Sequence, residues 1–286
     1  MMAKDTFLNR KITLNIKGEL FDLSTPCVMG ILNLTPDSFF GESRIGNVDA
    51  ALKRVEICLL EGARFIDLGA YSSRPGAADV STDEELKRII PVIEAIVREF
   101  PHARLSIDTF RSKVAAESIH AGAHLINDIS GGTLDKEMFS TVAGLGVPYI
   151  LMHMKGTPQD MQNAPEYAHV GLDVIGYFAQ KISELQALGV QDIILDPGFG
   201  FAKTLDHNYQ LLNYMHNLDI FGLPVLTGIS RKSMIYKLLG TQAEEALNGT
   251  TVINTIALLK GTSILRVHDV RAAMECIQLV GKMQAS

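Results

Sequence analysis

The chain has 286 residues, with 26 Lys or Arg against 32 Asp or Glu for a formal net charge of −6, and 47% of it is apolar. That composition, without low-complexity tracts, excludes a disordered chain and leaves room for one domain of barrel size or two smaller ones. An acidic balance with no Lys/Arg cluster argues against nucleic acid or an anionic membrane surface as the main partner.

No segment approaches the roughly 18 uninterrupted apolar residues of a membrane span, and Met1 to Phe7 lack a secretory apolar stretch. A cytoplasmic protein is expected. Cys27, Cys58 and Cys276 lie far apart in apolar segments, so they are expected as buried thiols rather than a disulfide or metal framework.

In chain order, Ile12 to Ile16 and Glu19 to Leu23 flank Lys17-Gly18, which predicts a β-hairpin over about residues 1–24. Its apolar side chains would find cover by plugging the lower mouth of a barrel. Eight Val/Ile/Leu-rich runs follow: Cys27 to Asn33, Arg64 to Gly69, Arg104 to Thr109, Leu125 to Ile129, Pro148 to His153, Ile193 to Pro197, Pro224 to Ile229 and Ser263 to Asp269. Between them apolar residues recur at helical spacing, as in Val48, Leu52, Val55 and Leu59, or Val170, Val174, Phe178, Ile182 and Leu185. Thr82 with Glu85 has the spacing of a capping box. Pro91 is expected to kink or split the second helix. Gly62, Gly122, Gly146 and Gly189 stand where helices would end.

Nearly every run ends in polar groups: Asn33, Asp67, Asp108 with Thr109, Asn127 with Asp128, His153, Asp196, Ser230 to Ser233, and Arg266 with His268. In a parallel eight-stranded barrel the C-terminal strand ends meet around one rim, so these scattered groups would converge on one cleft. An open doubly wound sheet would use only those near its switch point. The expected fold is therefore a single (β/α)8 barrel domain spanning residues 1–286, with the N-terminal hairpin as an extension.

Several familiar signals carry little. His120 and His124 are spaced like a zinc pair, but Gly122 lies between them and His124 enters a strand. Gly228 to Ser233 has Arg231 where a phosphate loop needs glycine before the lysine, and Gly198-Phe199-Gly200 lacks the third glycine of a dinucleotide fingerprint.

The rim groups carry more. Asp108 and Asp196 each end an apolar strand, and a buried carboxylate needs donors or a positive group, which a neutral amino-heterocycle could supply. Capping of the next helix is the structural alternative. Lys232, Arg266 and His268 form a cationic counterpart suited to a diphosphate, or simply pair with the rim carboxylates. Asn33 offers an amide oxygen of the kind that ligates Mg²⁺, an ion that takes much of its coordination from water and substrate phosphates. The loops Thr35 to Gly41 and Ser72 to Ala77 would overhang the cleft, and Phe39 either covers a flat substrate or folds back onto the barrel.

Taken in order, Met29 to Phe39, Ser73 to Ala77, Ser106 to Arg111, Ile126 to Gly132, Met152 to Pro158, Leu195 to Phe201, Ser230 to Ser233 and Arg266-Val267-His268-Asp269 resemble the motifs of bacterial dihydropteroate synthases. The resemblance spans nearly the whole chain. It implies a C–N bond-forming transferase of folate biosynthesis. Such an enzyme condenses 6-hydroxymethyl-7,8-dihydropterin diphosphate with 4-aminobenzoate and releases diphosphate.

Carried over residue by residue, the resemblance implies that Asp108, Asn127, Asp196 and Lys232 hold the pterin, with Met152 lining its slot and Arg266 across the ring. Asn33 would bind Mg²⁺, Arg266 and His268 would hold the diphosphate, and Val267 between them is counted among the substrate-binding residues. Phe39, Ser73, Pro75, Phe201, Arg231 and Ser233 would build the aminobenzoate site, where sulfonamides compete in this family. Asp37, Lys232, Arg266 and His268 are the expected catalytic groups, Asp37 supplying negative charge near the cation that forms as diphosphate leaves.

The family is usually a homodimer packed through helices near the C-terminal end. One departure stands out. The family reads Gly-Gly-Glu-Ser-Thr-Arg-Pro-Gly where this chain has Gly69-Ala70-Tyr71-Ser72-Ser73-Arg74-Pro75-Gly76. A corrinoid-dependent pterin methyltransferase, a Schiff-base aldolase using Lys232, and a pterin-binding paralogue without turnover are the rival readings. The paired basic motifs at 230–233 and 266–268 favour the synthase over the methyltransferase.

Overall fold

A computed structural model describes residues 13–34, 44–71, 80–156 and 166–286. An antiparallel hairpin, β1 (Thr13–Ile16) and β2 (Glu19–Asp22), precedes an eight-stranded parallel sheet. Its strands are β3 (Cys27–Asn33), β4 (Phe65–Gly69), β5 (Leu105–Asp108), β6 (Leu125–Asp128), β7 (Tyr149–Met152), β8 (Ile193–Asp196), β9 (Leu226–Thr227) and β10 (Ile264–Val267). Pairing runs in sequence from β3 to β8, β10 joins β3 to β9, and a bridge from Leu195 to Val225 closes the ring. The expected (β/α)8 barrel is the observed fold. The run from Pro224 to Ile229 holds the shortest strand, since Val225 is spent on the closing bridge.

Helices lie between the strands: α1 (Arg44–Leu60), α2 (Thr82–Glu99), α3 (Ser112–His120), α4 (Met138–Leu145), α5 (Val170–Ala187), α6 (Leu205–Tyr214), α7 (Ser233–Leu239), α8 (Leu247–Leu259) and α9 (Val270–Gln284). Two expectations for α2 need correction. Its N-cap is Ser81, whose hydroxyl accepts from the Glu84 amide, so Thr82 does not cap and Glu85 is free for another role. Of the two outcomes expected at Pro91, the split does not occur: the residue sits inside one continuous 18-residue helix.

Strand parity decides what faces where. Leu68, Ile107, Ile126, Leu151, Leu195 and Leu265 pack outward against the helices. The opposite parity faces the barrel interior. At its lower end Cys27, Met29, Phe65, Leu125, Ile150, Ile194, Leu226 and Ile264 form one buried cluster with Leu14, Ile16, Phe21 and Leu23 of the hairpin segment. The hairpin thus plugs the bottom, as expected. Apolar filling below confines the interior polar groups to the upper end.

Near that plug Lys17 donates to the Gly122 carbonyl at 2.8 Å and His124 Nδ1 accepts from the Leu105 amide at 3.1 Å. Burial, reinforced by Lys17 and Arg104, lowers the His124 pKa to about 4. An unfolded histidine takes a proton near pH 6.5 and this one only near 4, so acidification through that window favours unfolding. One full proton is worth at most about 1.4 kcal/mol per pH unit, and the partly exposed ring delivers less. Replacing His124 by Asn is expected to cost stability at pH 7.5 and progressively less toward pH 4.5, by urea denaturation. A deficit that does not change with pH would reject this assignment.

Candidate functional site

The interior parity continues upward through Asp67, Ser106, Asp108, Asn127, Met152, Asp196 and Arg266, drawn from six of the eight strands. Register places Asp67 beside Ser106, Asp108 beside Asn127, and Met152 beside Asp196. Arg266 lies across this ring. Its Nε donates to Asp67 Oδ2 and its Nη2 to Asp108 Oδ2, both at 2.6 Å, and Asn127 Nδ2 donates to Asp67 Oδ2 at 3.1 Å. On the other side a methyl added to Gly228 would touch both the Arg266 side chain and Asp196 Oδ2 within 4.0 Å. Asp108, Asn127, Asp196 and Arg266 therefore share one bowl, although Asp67 and Arg266 are 199 positions apart.

The electrostatics follow from burial. Burial raises the Asp108 pKa to about 7 against the pull of Arg266, with Asp67, Glu85 and Asp128 pushing the same way. Burial also raises Asp196, opposed by Lys232 and by the Gly198 amide, which donates to Oδ1 at 2.8 Å. The Arg266 charge survives because Asp67 and Asp108 outweigh its desolvation. Among the described residues three interior oxygens stay orphaned: Asp67 Oδ1, Asn127 Oδ1 and the Ser106 hydroxyl are buried without a hydrogen-bond partner. Such atoms are costly unless a donor meets them.

Lys232 precedes α7 and reaches in from the side. Its ammonium donates to the Phe199 carbonyl and sits 4.6 Å from the centre of the Phe201 ring. Burial lowers its pKa to about 8 despite the attraction of Asp196, so proximity to carboxylates does not keep it at the ordinary lysine value. Ile129, Met152, Met154 and Ala202, with Phe110 and Phe201 against them, make an apolar wall beside the polar bowl. A flat, polar-edged ring matches such a slot.

Four expected positions depart from this picture. His268 is not a standing cation, because burial, reinforced by Arg266, lowers its pKa to about 4. With the ring neutral, Nδ1 shares a hydrogen bond with the Ser230 hydroxyl at 3.2 Å, and the ring keeps one N–H, a donor without charge. The Arg231 guanidinium grips Asp269 at 2.8 and 3.0 Å and donates to the carbonyls of Ala243 and Glu244, so it is turned to the outer loop. The Val267 side chain has outward parity and packs in the core under the helices, leaving only its backbone on the rim. Asp128, though adjacent to Asn127, also points outward and takes hydrogen bonds from Tyr149, Ser130 and Gly132, shaping the turn after β6.

Ser233 opens α7 beside Lys232, and half-buried Asn33 ends β3. Asp37, Phe39, Ser73 and Pro75 lie outside the described residues. Just before residue 72, the Tyr71 ring meets Phe110 edge-on at 5.0 Å, and the Arg111 guanidinium lies over both rings. Glu85 is a group that sequence reasoning misplaced. Wholly buried, it accepts from Thr109 at 2.8 Å and pairs with Arg111, fixing the turn after β5. Lys203, also buried, escaped notice because no strand run or motif contains it.

Residues 29–268 match the family described as pterin binding enzyme. The dihydropteroate synthase of Escherichia coli K12 is 44% identical over 266 residues, covering 92% of this chain and 94% of that protein. The one from Synechocystis is 42% identical over 248 residues, covering 86% of each. Among solved structures, Yersinia pestis dihydropteroate synthase with a sulfonamide drug superposes with a TM-score of 0.90 at 43% identity, covering 96% of this chain and 100% of that one. The Xanthomonas albilineans enzyme in complex with 7,8-dihydropteroate gives 0.86 at 35% identity, covering 96% and 99%. Likeness of this extent in both sequence and shape, around a polar bowl at the top of a closed barrel, makes the chain a member of the pterin-binding enzyme family, among its dihydropteroate synthases.

Proposed function

We propose that the bowl at the C-terminal end of the barrel is where this enzyme condenses 6-hydroxymethyl-7,8-dihydropterin diphosphate with 4-aminobenzoate, releasing 7,8-dihydropteroate and diphosphate. The observation that carries the assignment of residues is the pair of orphaned acceptors, Asp67 Oδ1 and Asn127 Oδ1, in one ring with Asp108, Asp196 and Arg266. The amino group and ring N–H of a pterin are the donors such a ring lacks. Met152 supports the face of the bicycle, and Lys232 and Arg266 lie on the side from which the phosphates extend. A relative solved with 7,8-dihydropteroate supports this reading.

Departure of diphosphate leaves a cation delocalised into the pterin, so the leaving group needs positive charge and donors. Lys232 and Arg266 supply charge, and His268 supplies a neutral donor. The arylamine is uncharged at physiological pH and, held in line beside Phe201 and Ser233, needs no strong base to attack. Asp37, Phe39, Ser73 and Pro75 complete this proposal from the two loops, Asp37 as negative charge near the forming cation. For Arg231 the role is indirect, through its grip on Asp269 next to His268.

Mg²⁺ belongs to the same proposal. Among the described residues no cluster of three or more His, Cys, Asp or Glu could hold a metal, and Asn33 offers an amide oxygen at the rim. One protein oxygen fits an ion that takes the rest of its coordination from water and the substrate diphosphate, whose charge it would neutralise. A homodimer is proposed through α8 and α9, where Val252, Leu259, Leu279 and Met283 expose apolar side chains. The whole chain is taken as one barrel domain in the cytoplasm, a setting with which three free, buried cysteines agree.

Incubation with both substrates and Mg²⁺, each omitted in turn, tests the reaction. Release of diphosphate should require all three. Replacing Asp196 by Asn is expected to weaken pterin binding by about 1.5–3 kcal/mol, the worth of a hydrogen bond to a charged group. Unchanged affinity in calorimetry would contradict the role given to Asp196.

A further inference from the structure

The segment between β8 and α6 has no regular structure, yet it presents two groups to the site: the Phe199 carbonyl, which receives Lys232, and the Phe201 ring beside it. Its backbone is unusual. Gly198 and Gly200 have φ of +70° and +80°, and Ala202, which carries a Cβ, is also left-handed at +47°. Left-handed alanine is costly and persists only where the surroundings impose it. A methyl at Gly198 would lie 2.0 Å from the His153 carbonyl, so the loop is pressed against the end of β7.

Lys203 lies against this path. Its side chain turns back under the loop, and the ammonium meets the Gly198 carbonyl at 2.9 Å, the Phe201 carbonyl at 3.1 Å, His153 Nδ1 at 3.0 Å and, more weakly, the His153 carbonyl at 3.4 Å. Burial, reinforced by Lys203, lowers the His153 pKa to about 2 and leaves the ring neutral, and burial lowers Lys203 itself to about 7; in its charged form Lys203 can only donate, so Nδ1 then accepts. An ammonium has three donors and no acceptor, and here its best contacts join both ends of the loop to His153, the residue after β7. Asn208 ties the far side, its Oδ1 receiving Gly200 N at 2.7 Å, and Tyr167 donates to the Ala202 carbonyl at 2.9 Å. The Lys203 side chain thus binds two carbonyls of one loop.

We propose that Lys203 is a positioning residue for the reaction, acting through its cage of backbone carbonyls to hold the 198–202 loop so that Lys232 and Phe201 meet the substrates in working geometry. The inference rests on the assignment of Lys232 and Phe201 to the site. Removing the ammonium frees the two carbonyls and lets the loop relax away from the left-handed conformation at Ala202. Lys232 then loses its fixed acceptor. The lysine itself need touch neither substrate.

The test is Lys203→Met, which keeps most of the stem and removes every donor, with Lys203→Gln in its place should the first not fold. Two readouts are expected to move together. Hydrogen exchange at the 198–202 amides should speed up while the α6 amides keep wild-type protection. In steady state, measured well below the unfolding midpoint, kcat should fall and KM for 4-aminobenzoate rise, for a combined loss in kcat/KM on the order of tenfold to a hundredfold, the usual penalty for misplacing a reacting group by about 1 Å.

A purely structural lysine would lower thermal stability and leave both kinetic constants alone, and that result would overturn the proposal, as would unchanged exchange in the loop. Lys232→Ala run alongside separates the layers. If it is impaired while Lys203→Met is not, only the positioning role fails. If both turn over like the wild type, the assignment of Lys232 falls and takes this inference with it.

Discussion

Arg266→Met is expected to cost roughly 3–5 kcal/mol of folding stability near pH 8, the penalty for leaving buried charge without its partner. Arg266 holds Asp67 and Asp108 at 2.6 Å each, and Asp67 is fully buried. The neutral replacement leaves two carboxylates facing each other with only Asn127 as donor to Asp67. Such a pair relieves itself by taking up protons. The sign follows from linkage: Asp108 is already raised to about 7 with the arginine present and rises further without it, whereas the unfolded carboxylate titrates near 4. The folded variant thus binds more protons than the unfolded chain between those limits, and acidification stabilises it. Its deficit against wild type should be largest above pH 7 and shrink toward pH 5. Chemical denaturation at pH 8 and pH 5 decides the matter, and a deficit below about 1 kcal/mol at pH 8 would show that the ring does not depend on this cation.

Lys232→Ala should behave in the opposite way, losing function while keeping stability. Turnover is expected to fall by roughly 10²-fold or more, as when a donor to developing charge is deleted elsewhere. Stability should change by no more than about 1 kcal/mol. Lys232 makes no side-chain cap for α7, and its pKa, lowered to about 8 by burial, records an ammonium that the fold tolerates rather than one that it needs. The same lowering predicts a decline of kcat/KM above about pH 8 in the wild type, as the free enzyme loses this charge. Wild-type kcat in the alanine variant would remove Lys232 from the machinery.

Much of this site was legible before any coordinates, for a reason visible in particular strands. In β5, β6 and β8 the last interior position carries Asp108, Asn127 and Asp196, so the apolar run and its polar end appear in the sequence as one pattern. The pattern stops short where two polar residues are adjacent. Asn127 and Asp128 are equal candidates in sequence, and parity sends one into the bowl and the other to Tyr149. Glu85 has the spacing of a capping residue, and only the packing of α2 against the end of β5 reveals its partners Thr109 and Arg111. Arg231 follows its neighbour Lys232 in the motif but leaves the site, because a residue with φ of +54° turns its side chain toward Asp269.

The sequence on its own determined the number and order of strands and the hairpin beneath them, which depend on hydrophobic period, and the closure into a barrel and the family, which depend on the order of polar strand ends and motifs along the whole chain. Only the tertiary structure decided which polar groups are partnered, which are orphaned and which carry charge. Those properties depend on neighbours such as Asp67 and Arg266, far apart along the chain, and on burial that lowers His268 to about 4, lowers Lys232 to about 8 and raises Asp108 to about 7. Desolvation and Coulomb energy are set by distance in space, and distance along the chain carries almost no information about either.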